Sequence, residues 1–257
     1  MTIAWSGLAD SKYYHYIAKY CIPSWSKLPG DKYIVHDSND ISIHDIDVID
    51  WNFAYNRDNT FTKKCKRTKP VNFWRKMQSQ IWALKNLRHY DYVVLLDTDV
   101  EVLTFNALEL QNILNGMKQN KTIWATGESQ KMKLDAGHIV VNMRDNRLDN
   151  LIFDYENVWE SGKIFELFRH YDGQAVESLF DKYPSYKIKN TDHGGGLHTY
   201  ELGTVHYGSK IPKLLRALYH NSTNFMVDDI IKEKRNLVDS KESIKQLEKR
   251  LNERNIA

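Results

Sequence analysis

Two acidic residues separated by one position are the clearest candidates for chemistry in this 257-residue chain. Asp97 and Asp99 directly follow the apolar run at 92–96. In an extended backbone, residues two apart face the same side, so both carboxylates can point to one place. Carboxylates held together repel each other, and a divalent cation relieves that repulsion and can bind a diphosphate as well. Because an Asp-Thr-Asp triplet also arises by chance or in a turn, the surrounding sequence has to decide.

The elements around this pair predict an open α/β sheet. The run at 92–96 is continuously apolar, as expected of a central strand that is covered on both faces. Apolar residues recur at steps of three and four from Phe73 to Leu87, which predicts a helix before that strand. The acidic pair would then lie at the carboxyl end of a buried strand, where ligands bind in such sheets.

Strands alternating with helices along the rest of the chain favour an α/β sandwich around a mainly parallel sheet. The polar stretch 37–70 is predicted to be a loop or irregular structure. The other predicted strands are 2–6, 32–36, 122–126 and 138–142, and the other predicted helices are 105–118, 172–183 and a segment from Tyr13 to Cys21.

The C-terminal part of the chain has a different composition. Residues 230–257 contain many charges and no Gly or Pro. Asp239 and Glu242 resemble a capping box, and an apolar stripe follows at 244, 247 and 251. We predict one domain at 1–226 and a C-terminal helical tail at 227–257. A helix packed on its own domain is the ordinary interpretation of the stripe, and an oligomer contact or a membrane-surface helix are the alternatives.

Composition excludes several classes of protein. Hydrophobic residues make up 42% of the chain and the formal net charge is +3, which is typical of a soluble globular protein. No run approaches the ~20 apolar residues that cross a bilayer, and the N-terminus lacks the pattern of a secretory signal. The two cysteines have no spacing for a metal site. We therefore expect a cytoplasmic protein, with a peripheral location at the inner membrane surface as the alternative.

Four segments of the chain resemble one enzyme family. Residues 90–100, which contain the acidic pair, resemble the strand and acidic motif of GT-A glycosyltransferases, especially the retaining glycogenin and lipopolysaccharide-galactosyltransferase (family 8-like) group. Segments 73–77, 135–142 and 205–210 match further motifs of that group in the same order, so the similarity spans residues 2–215. The resemblance implies a Rossmann-like GT-A sandwich that binds a nucleotide-diphosphate sugar.

The resemblance also implies a third metal ligand, His206, beside Asp97 and Asp99. An imidazole added to two carboxylates favours Mn²⁺ over Mg²⁺, which prefers shells made only of oxygen. We expect Mn²⁺, with Mg²⁺ as the alternative. For any one of ten histidines, a place in the core or on the surface is the ordinary interpretation.

The donor diphosphate needs cations and backbone amides around it. Arg75, Lys76 and Lys210 are candidates for absorbing its charge, with Lys213 in reserve. The resemblance adds the end of the first strand and several small residues near the metal. The predicted donor-binding residues are Ala4, Trp5, Ser6, Arg75, Lys76, Asp97, Thr98, Gly137, Gly208 and Lys210. Exposed helix charges and a plain strand-to-helix turn would explain most of these residues equally well.

Segment 171–176 resembles the part of retaining enzymes that places an amide or carboxylate beneath the sugar. Asp172 and Gln174 are therefore the candidate catalytic residues. The group usually has a second acid close to the Gln, where this chain has Gly173 and Ala175, so retention of configuration is an open question. Asp172 would also serve as a cap for the helix that follows.

These features lead to a hypothesis with two alternatives. The resemblance implies a metal-dependent transferase that moves a hexose from a nucleotide sugar, with a UDP-sugar favoured, to an unknown acceptor. A nucleotidyltransferase that makes nucleotide-sugars is one alternative, although the basic Gly-rich loop of such enzymes is absent after the first strand. A catalytically inactive glycan- or nucleic-acid-binding protein is the other. A glycan or lipid-linked glycan is the favoured acceptor, with modified DNA as a further option, and the C-terminal helix would allow a homo-oligomer.

Overall fold

The computed structural model describes residues 1–37, 43–50, 70–119, 121–127, 134–167, 171–193, 196–219, 227–237 and 241–256. Eleven strands occur in this described part of the chain. They are β1 (Ile3–Ala9), β2 (Asp31–His36), β3 (Asp47–Asp50), β4 (Tyr92–Leu96), β5 (Val100–Val102), β6 (Trp124–Gly127), β7 (Asp135–Asn142), β8 (Ser185–Ile188), β9 (Asn190–Asp192), β10 (Leu197–Tyr200) and β11 (Thr204–Tyr207).

Seven of these strands form a central sheet in the order β3-β2-β1-β4-β7-β6-β8. The pairs β1–β2, β1–β4, β2–β3 and β6–β8 are parallel, and only β7 runs against its two neighbours β4 and β6. The predicted α/β sandwich with a mainly parallel sheet is therefore confirmed. Because β7 is antiparallel, its first residues lie beside the last residues of β4, at the same edge of the sheet.

The other four strands form a second, antiparallel sheet in the order β5-β11-β10-β9. β5 begins just after the acidic pair, and β11 pairs with it so that His206 lies opposite Val100. This small sheet joins the middle of the chain to a segment about a hundred residues later.

The helices cover the central sheet and extend the chain beyond it. They are α1 (Ser11–Tyr13), α2 (Lys19–Cys21), α3 (Pro70–Asn86), α4 (Ala107–Gln119), α5 (Leu148–Glu160), α6 (Asp172–Glu177), α7 (Lys210–Tyr219), α8 (Val227–Asn236) and α9 (Lys241–Ile256). A π-helical turn at Tyr14–Ala18 joins α1 to α2, and 3-10 helices follow at Ile22–Lys27 and Lys163–Glu166.

Alternate residues of the central strands enter two different apolar clusters. In β4, Val93 and Leu95 belong to the cluster on the side of α3 and α5, whereas Val94 and Leu96 belong to the cluster on the side of α4. Side chains of a strand alternate between its two faces, so a continuously apolar strand has to be covered on both sides. This burial fixes the position at which β4 ends and the acidic pair begins.

The structure corrects the predicted elements at several points. The stretch 37–70 was expected to be irregular, but Asp47–Asp50 forms β3 at the edge of the sheet, where Val48 pairs with Ile34. An edge strand needs few apolar residues, so its two aspartates concealed it. Residues 38–42 and 51–69 lie outside the described part. The helix expected at 172–183 ends at Glu177.

The C-terminal helices pack against α7 and share an apolar cluster with it. Ile230 of α8 and Leu247 of α9 are buried in this cluster beside Leu214 and Leu218 of α7. This packing agrees with the interpretation of a helix on its own domain, whereas the boundary at 226/227 stays a prediction. Asp239, the residue predicted to cap the last helix, lies outside the described part. Within the described part, no helix combines the length and apolarity that a bilayer crossing needs.

Candidate active site

A cavity of about 510 Å³ opens at the carboxyl ends of β1 and β4. Ser6, Gly7 and Leu8 of β1 and Leu95 and Leu96 of β4 line its floor. From β1 the chain passes to β2 on one side, and β4 lies on the other side, so the cavity is at the point where the strand order reverses. Ligands bind at such points in open α/β sheets.

The acidic pair lies at the mouth of β4, in a turn between the two sheets. The backbone N–H of Asp97 donates to Gly137 at 3.0 Å, and the N–H of Val100 donates to the carbonyl of Asp97 at 2.9 Å. Thr98 Oγ1 donates to the Leu8 carbonyl at 2.7 Å. These bonds hold the backbone while the Asp97 and Asp99 carboxylates both face the cavity.

His206 reaches the pair through the second sheet. His206 lies on β11, which pairs with β5, and its Nε2 is 3.5 Å from Asp97 Oδ2 and 3.4 Å from Asp99 Oδ1. One ligand atom from each of the three residues lies within 4.8 Å of the others. A Cβ atom at Gly137 would be 2.7 Å from His206 Nδ1, so the imidazole occupies the space that a side chain at this position would take.

Two lysines from different helices neutralise the two acids. Lys76 of α3 forms ion pairs with both Asp97 and Asp172, which lies at the start of α6. Lys213 of α7 lies 2.9 Å from Asp99 Oδ2, and the Tyr13 hydroxyl donates to the same oxygen at 2.8 Å. The cavity thus has a cation on each side of the acidic pair.

These surroundings shift the ionisation of the site in different directions. Burial raises the pKa of Asp97 to about 6, with Lys76 acting against this shift and Asp99 adding to it. Burial would also raise the pKa of Asp99, but Lys213 and His206 outweigh it and lower that pKa below its ordinary value. Asp99 and Asp135 raise the pKa of His206 well above its ordinary value despite its burial. The neighbouring carboxylates therefore favour the protonated form of the imidazole.

The donor set fits a divalent cation. Two carboxylates and one imidazole suit Mn²⁺ and related metals, and their proximity allows all three to reach one ion. Asp97, Asp99 and His206 would hold the metal. Because a histidine binds a metal through a deprotonated nitrogen, metal binding and protonation of His206 would compete.

Most of the predicted site residues lie around this cavity. Those that line it are Ser6, Lys76, Asp97, Thr98, Asp99, Gly137, Asp172, His206 and Gly208. Their assembly uses β1, α3, the end of β4, β7, α6 and β11, which are distant along the sequence.

Five predicted site residues are not among the described residues that line the cavity: Ala4, Trp5, Arg75, Gln174 and Lys210. β1 continues to Ala9 instead of ending at Ser6, so Ala4 and Trp5 lie deeper in the core, and the Trp5 indole N–H donates to Pro29. Gln174 Nε2 donates to Glu177 at 2.6 Å. Lys210 forms an exposed ion pair with Glu248 at 2.6 Å, whereas Lys213, one turn later, faces the cavity.

Three residues of the site were missed at the sequence level or given no role. Tyr13 lies next to a π-helical turn, a feature found at functional sites, but no pattern in the sequence marks such a turn. Asp135 stood within a recognised motif, but nothing local showed its contact with His206. Tyr171 lines the cavity with its ring 5.8 Å from that of Phe73.

No protein-family model and no curated protein sequence matches the chain. Solved structures do show similarity. The apo structure of WbbM, a bifunctional glycosyltransferase, is 15% identical at a TM-score of 0.47, with 72% of this chain and 38% of the WbbM chain covered. A glycosyltransferase involved in glycosylation of the major capsid of PBCV-1 is 13% identical at a TM-score of 0.45, with 76% of this chain and 84% of that chain covered. This chain therefore spans well under half of WbbM.

Proposed function

We propose that this chain is a metal-dependent glycosyltransferase of GT-A type that takes a hexose from a nucleotide-diphosphate sugar, with a UDP-sugar as the donor. The observation that carries the proposal is the cluster of Asp97, Asp99 and His206 at the strand end, with a lysine on each side. Two acids, an imidazole and two ammonium groups around one cavity match what a cation and a diphosphate require together.

The lysines have a second task once a metal neutralises the acids. A bound Mn²⁺ would supply Lewis-acid stabilisation of the leaving diphosphate. Lys76 and Lys213 line the same cavity and each pairs with a different acid, so their ammonium groups are placed to bind diphosphate oxygens. Positive charge that is already in place where negative charge develops lowers the barrier to transfer.

Of the two candidate catalytic residues, Asp172 is the one supported by its position. Its side chain is almost fully buried, lines the cavity and is held by Lys76. Gln174 binds Glu177 and does not belong to the described lining. We assign to Asp172 the carboxylate that faces the transferred sugar. Retention of the anomeric configuration is part of the proposal, and the NMR coupling constant of the anomeric proton in the transfer product tests it.

The first test is binding of UDP by calorimetry with and without Mn²⁺. We expect Mn²⁺-dependent binding by the parent protein and its loss in Asp99→Ala. Asp149→Ala is the matched control, because Asp149 is an exposed acid that pairs with Arg88 away from the cavity. Binding that is independent of Mn²⁺, or that survives Asp99→Ala, would contradict the proposal.

The second test identifies the reaction. The protein is incubated with Mn²⁺ and a panel of nucleotide-sugars, and mass spectrometry follows the slow hydrolysis of the donor in the absence of an acceptor. A free hexose with a nucleoside diphosphate indicates glycosyl transfer. A sugar phosphate with a nucleoside triphosphate, formed when pyrophosphate is added, indicates a nucleotidyltransferase. Binding without any turnover, in this panel and with glycan or lipid-linked glycan acceptors, indicates an inactive binding protein.

A further inference from the structure

Behind His206, on the side away from the acidic pair, lies a second buried carboxylate. Asp135 is the first residue of β7, and its side chain is 8% exposed. Its Oδ1 lies 3.5 Å from Nδ1 of His206. The two ring nitrogens of His206 therefore face carboxylates in opposite directions, Nε2 toward Asp97 and Asp99 and Nδ1 toward Asp135.

The position of the proton on the imidazole decides which ring nitrogen can bind a cation. A neutral imidazole carries one proton, and the nitrogen without it is the one that can bind a cation. If Nε2 of His206 binds the metal, the proton has to be on Nδ1, where it needs an acceptor. Among the described groups, Asp135 is the carboxylate that faces this nitrogen. Histidine ligands in metal sites commonly donate the second ring N–H to a carboxylate, which fixes the orientation of the ring.

Asp135 is itself held in place by groups from two sheets. The Tyr200 hydroxyl of β10 donates to its Oδ2 at 2.5 Å, and the backbone N–H of Gly137 donates to its Oδ1 at 3.0 Å. His198 Nε2 lies 3.7 Å from Oδ2. A carboxylate anchored in this way has little freedom to turn toward a sugar, although part of it reaches the cavity wall.

We propose that Asp135 is a positioning residue, which accepts the Nδ1 proton of His206 and so directs Nε2 toward the cation. The inference rests on the proposed function, because it assumes that His206 binds a metal. It assigns Asp135 a task in cation binding instead of a contact with substrate. A measurement without nucleotide or sugar therefore separates the two roles.

The test is titration of Mn²⁺ alone into the parent protein, Asp135→Asn and Asp192→Asn, followed by electron paramagnetic resonance of the free ion. We expect Asp135→Asn to weaken Mn²⁺ binding about 10- to 100-fold. Asp192 of β9 is the matched control. It is also a carboxylate beside a histidine, because its Oδ1 lies 3.7 Å from Nδ1 of His198, but this histidine is not one of the three proposed metal ligands. Asp192→Asn should keep the parent affinity within about twofold. Equal Mn²⁺ affinity of the parent and Asp135→Asn would overturn the inference.

Two further measurements keep the result interpretable. If circular dichroism shows that Asp135→Asn does not fold, Tyr200→Phe replaces it. Removal of the hydroxyl that holds Asp135 Oδ2 should weaken Mn²⁺ binding severalfold. Unchanged binding would overturn the inference. In the Mg²⁺-loaded parent, long-range ¹H–¹⁵N spectra should place the His206 proton on Nδ1, and a proton on Nε2 would contradict it. A parent protein that binds no divalent cation would instead refute the proposed function.

Discussion

Asp97 and Asp99 are two residues apart in one turn, yet different walls of the cavity hold them. On the wall formed by α3 and α6, Lys76 joins Asp97 to Asp172. On the wall formed by β11 and α7, Lys213 pairs with Asp99. The first carboxylate is 20% exposed and the second 3% exposed.

The difference in surroundings gives the two acids different ionisation. The pKa of Asp97 is raised by burial to about 6, whereas cationic neighbours hold the pKa of Asp99 below its ordinary value. Asp99 is therefore an anion under all ordinary conditions, whereas Asp97 is mostly ionised at pH 7 and takes up a proton as the pH falls through about 6. One motif thus combines an acid that stays ionised with an acid whose protonation changes near pH 6. We call Asp99 the anchored acid and Asp97 the adjustable acid.

The largest expected effect is on the anchored acid. Asp99→Asn leaves Lys213 without its buried partner and removes one of the three carboxylates around His206, so it should lower the free energy of unfolding by about 3 kcal/mol at pH 7 in EDTA. Chemical denaturation of the variant and of Asp149→Asn, an exposed control, measures this loss. Because the pKa of Asp99 in the folded protein is lowered, its ionised carboxylate adds to the free energy of unfolding above pH ~4, and this stabilisation is lost as the pH falls further. The stabilities of the variant and the parent should therefore converge in acid. A loss that persists undiminished at low pH would show that the amide disturbs packing instead.

Much of the fold could be predicted because local patterns express it. The run Tyr92–Leu96 is apolar at every position, and the structure buries it on both faces. The periodicity from Phe73 to Leu87 likewise corresponds to α3. The edge strand β3 was missed, since Val48 and Ile49 between two aspartates carry too little signal to distinguish a strand from a loop.

The site was predictable only where a motif carried it. Asp97 and Asp99 were named from their spacing after an apolar run and His206 from the resemblance, and the structure brings the three together. Lys210 was preferred to Lys213 and is the last residue of the matched segment 205–210, but a match in sequence says nothing about the direction of a side chain on a helix. The contact of Asp135 with His206 joins strands of two different sheets, so it depends on how the sheets pack together, which no local pattern determines.

The second prediction compares these two lysines, which lie one turn apart on α7. Lys213→Met removes a cation from a nearly buried carboxylate and should lower the free energy of unfolding by about 2 kcal/mol. Lys210→Met breaks only the exposed pair with Glu248, for which a change below about 1 kcal/mol is expected. Denaturation curves of both variants in EDTA test the difference. Equal losses would mean that Asp99 does not depend on the wall formed by α7.

The effect expected at the adjustable acid has the opposite sign. Because the folded pKa of Asp97 is raised to about 6, its ionisation opposes folding, so the parent loses stability as the pH rises from about 4 through about 6. Asp97→Asn removes this loss and should be more stable than the parent by up to about 3 kcal/mol above pH 6 in EDTA, and equal to it below pH 4. Thermal unfolding across this pH range measures the change, and a variant less stable than the parent at pH 7 would show that the ion pair with Lys76 outweighs burial.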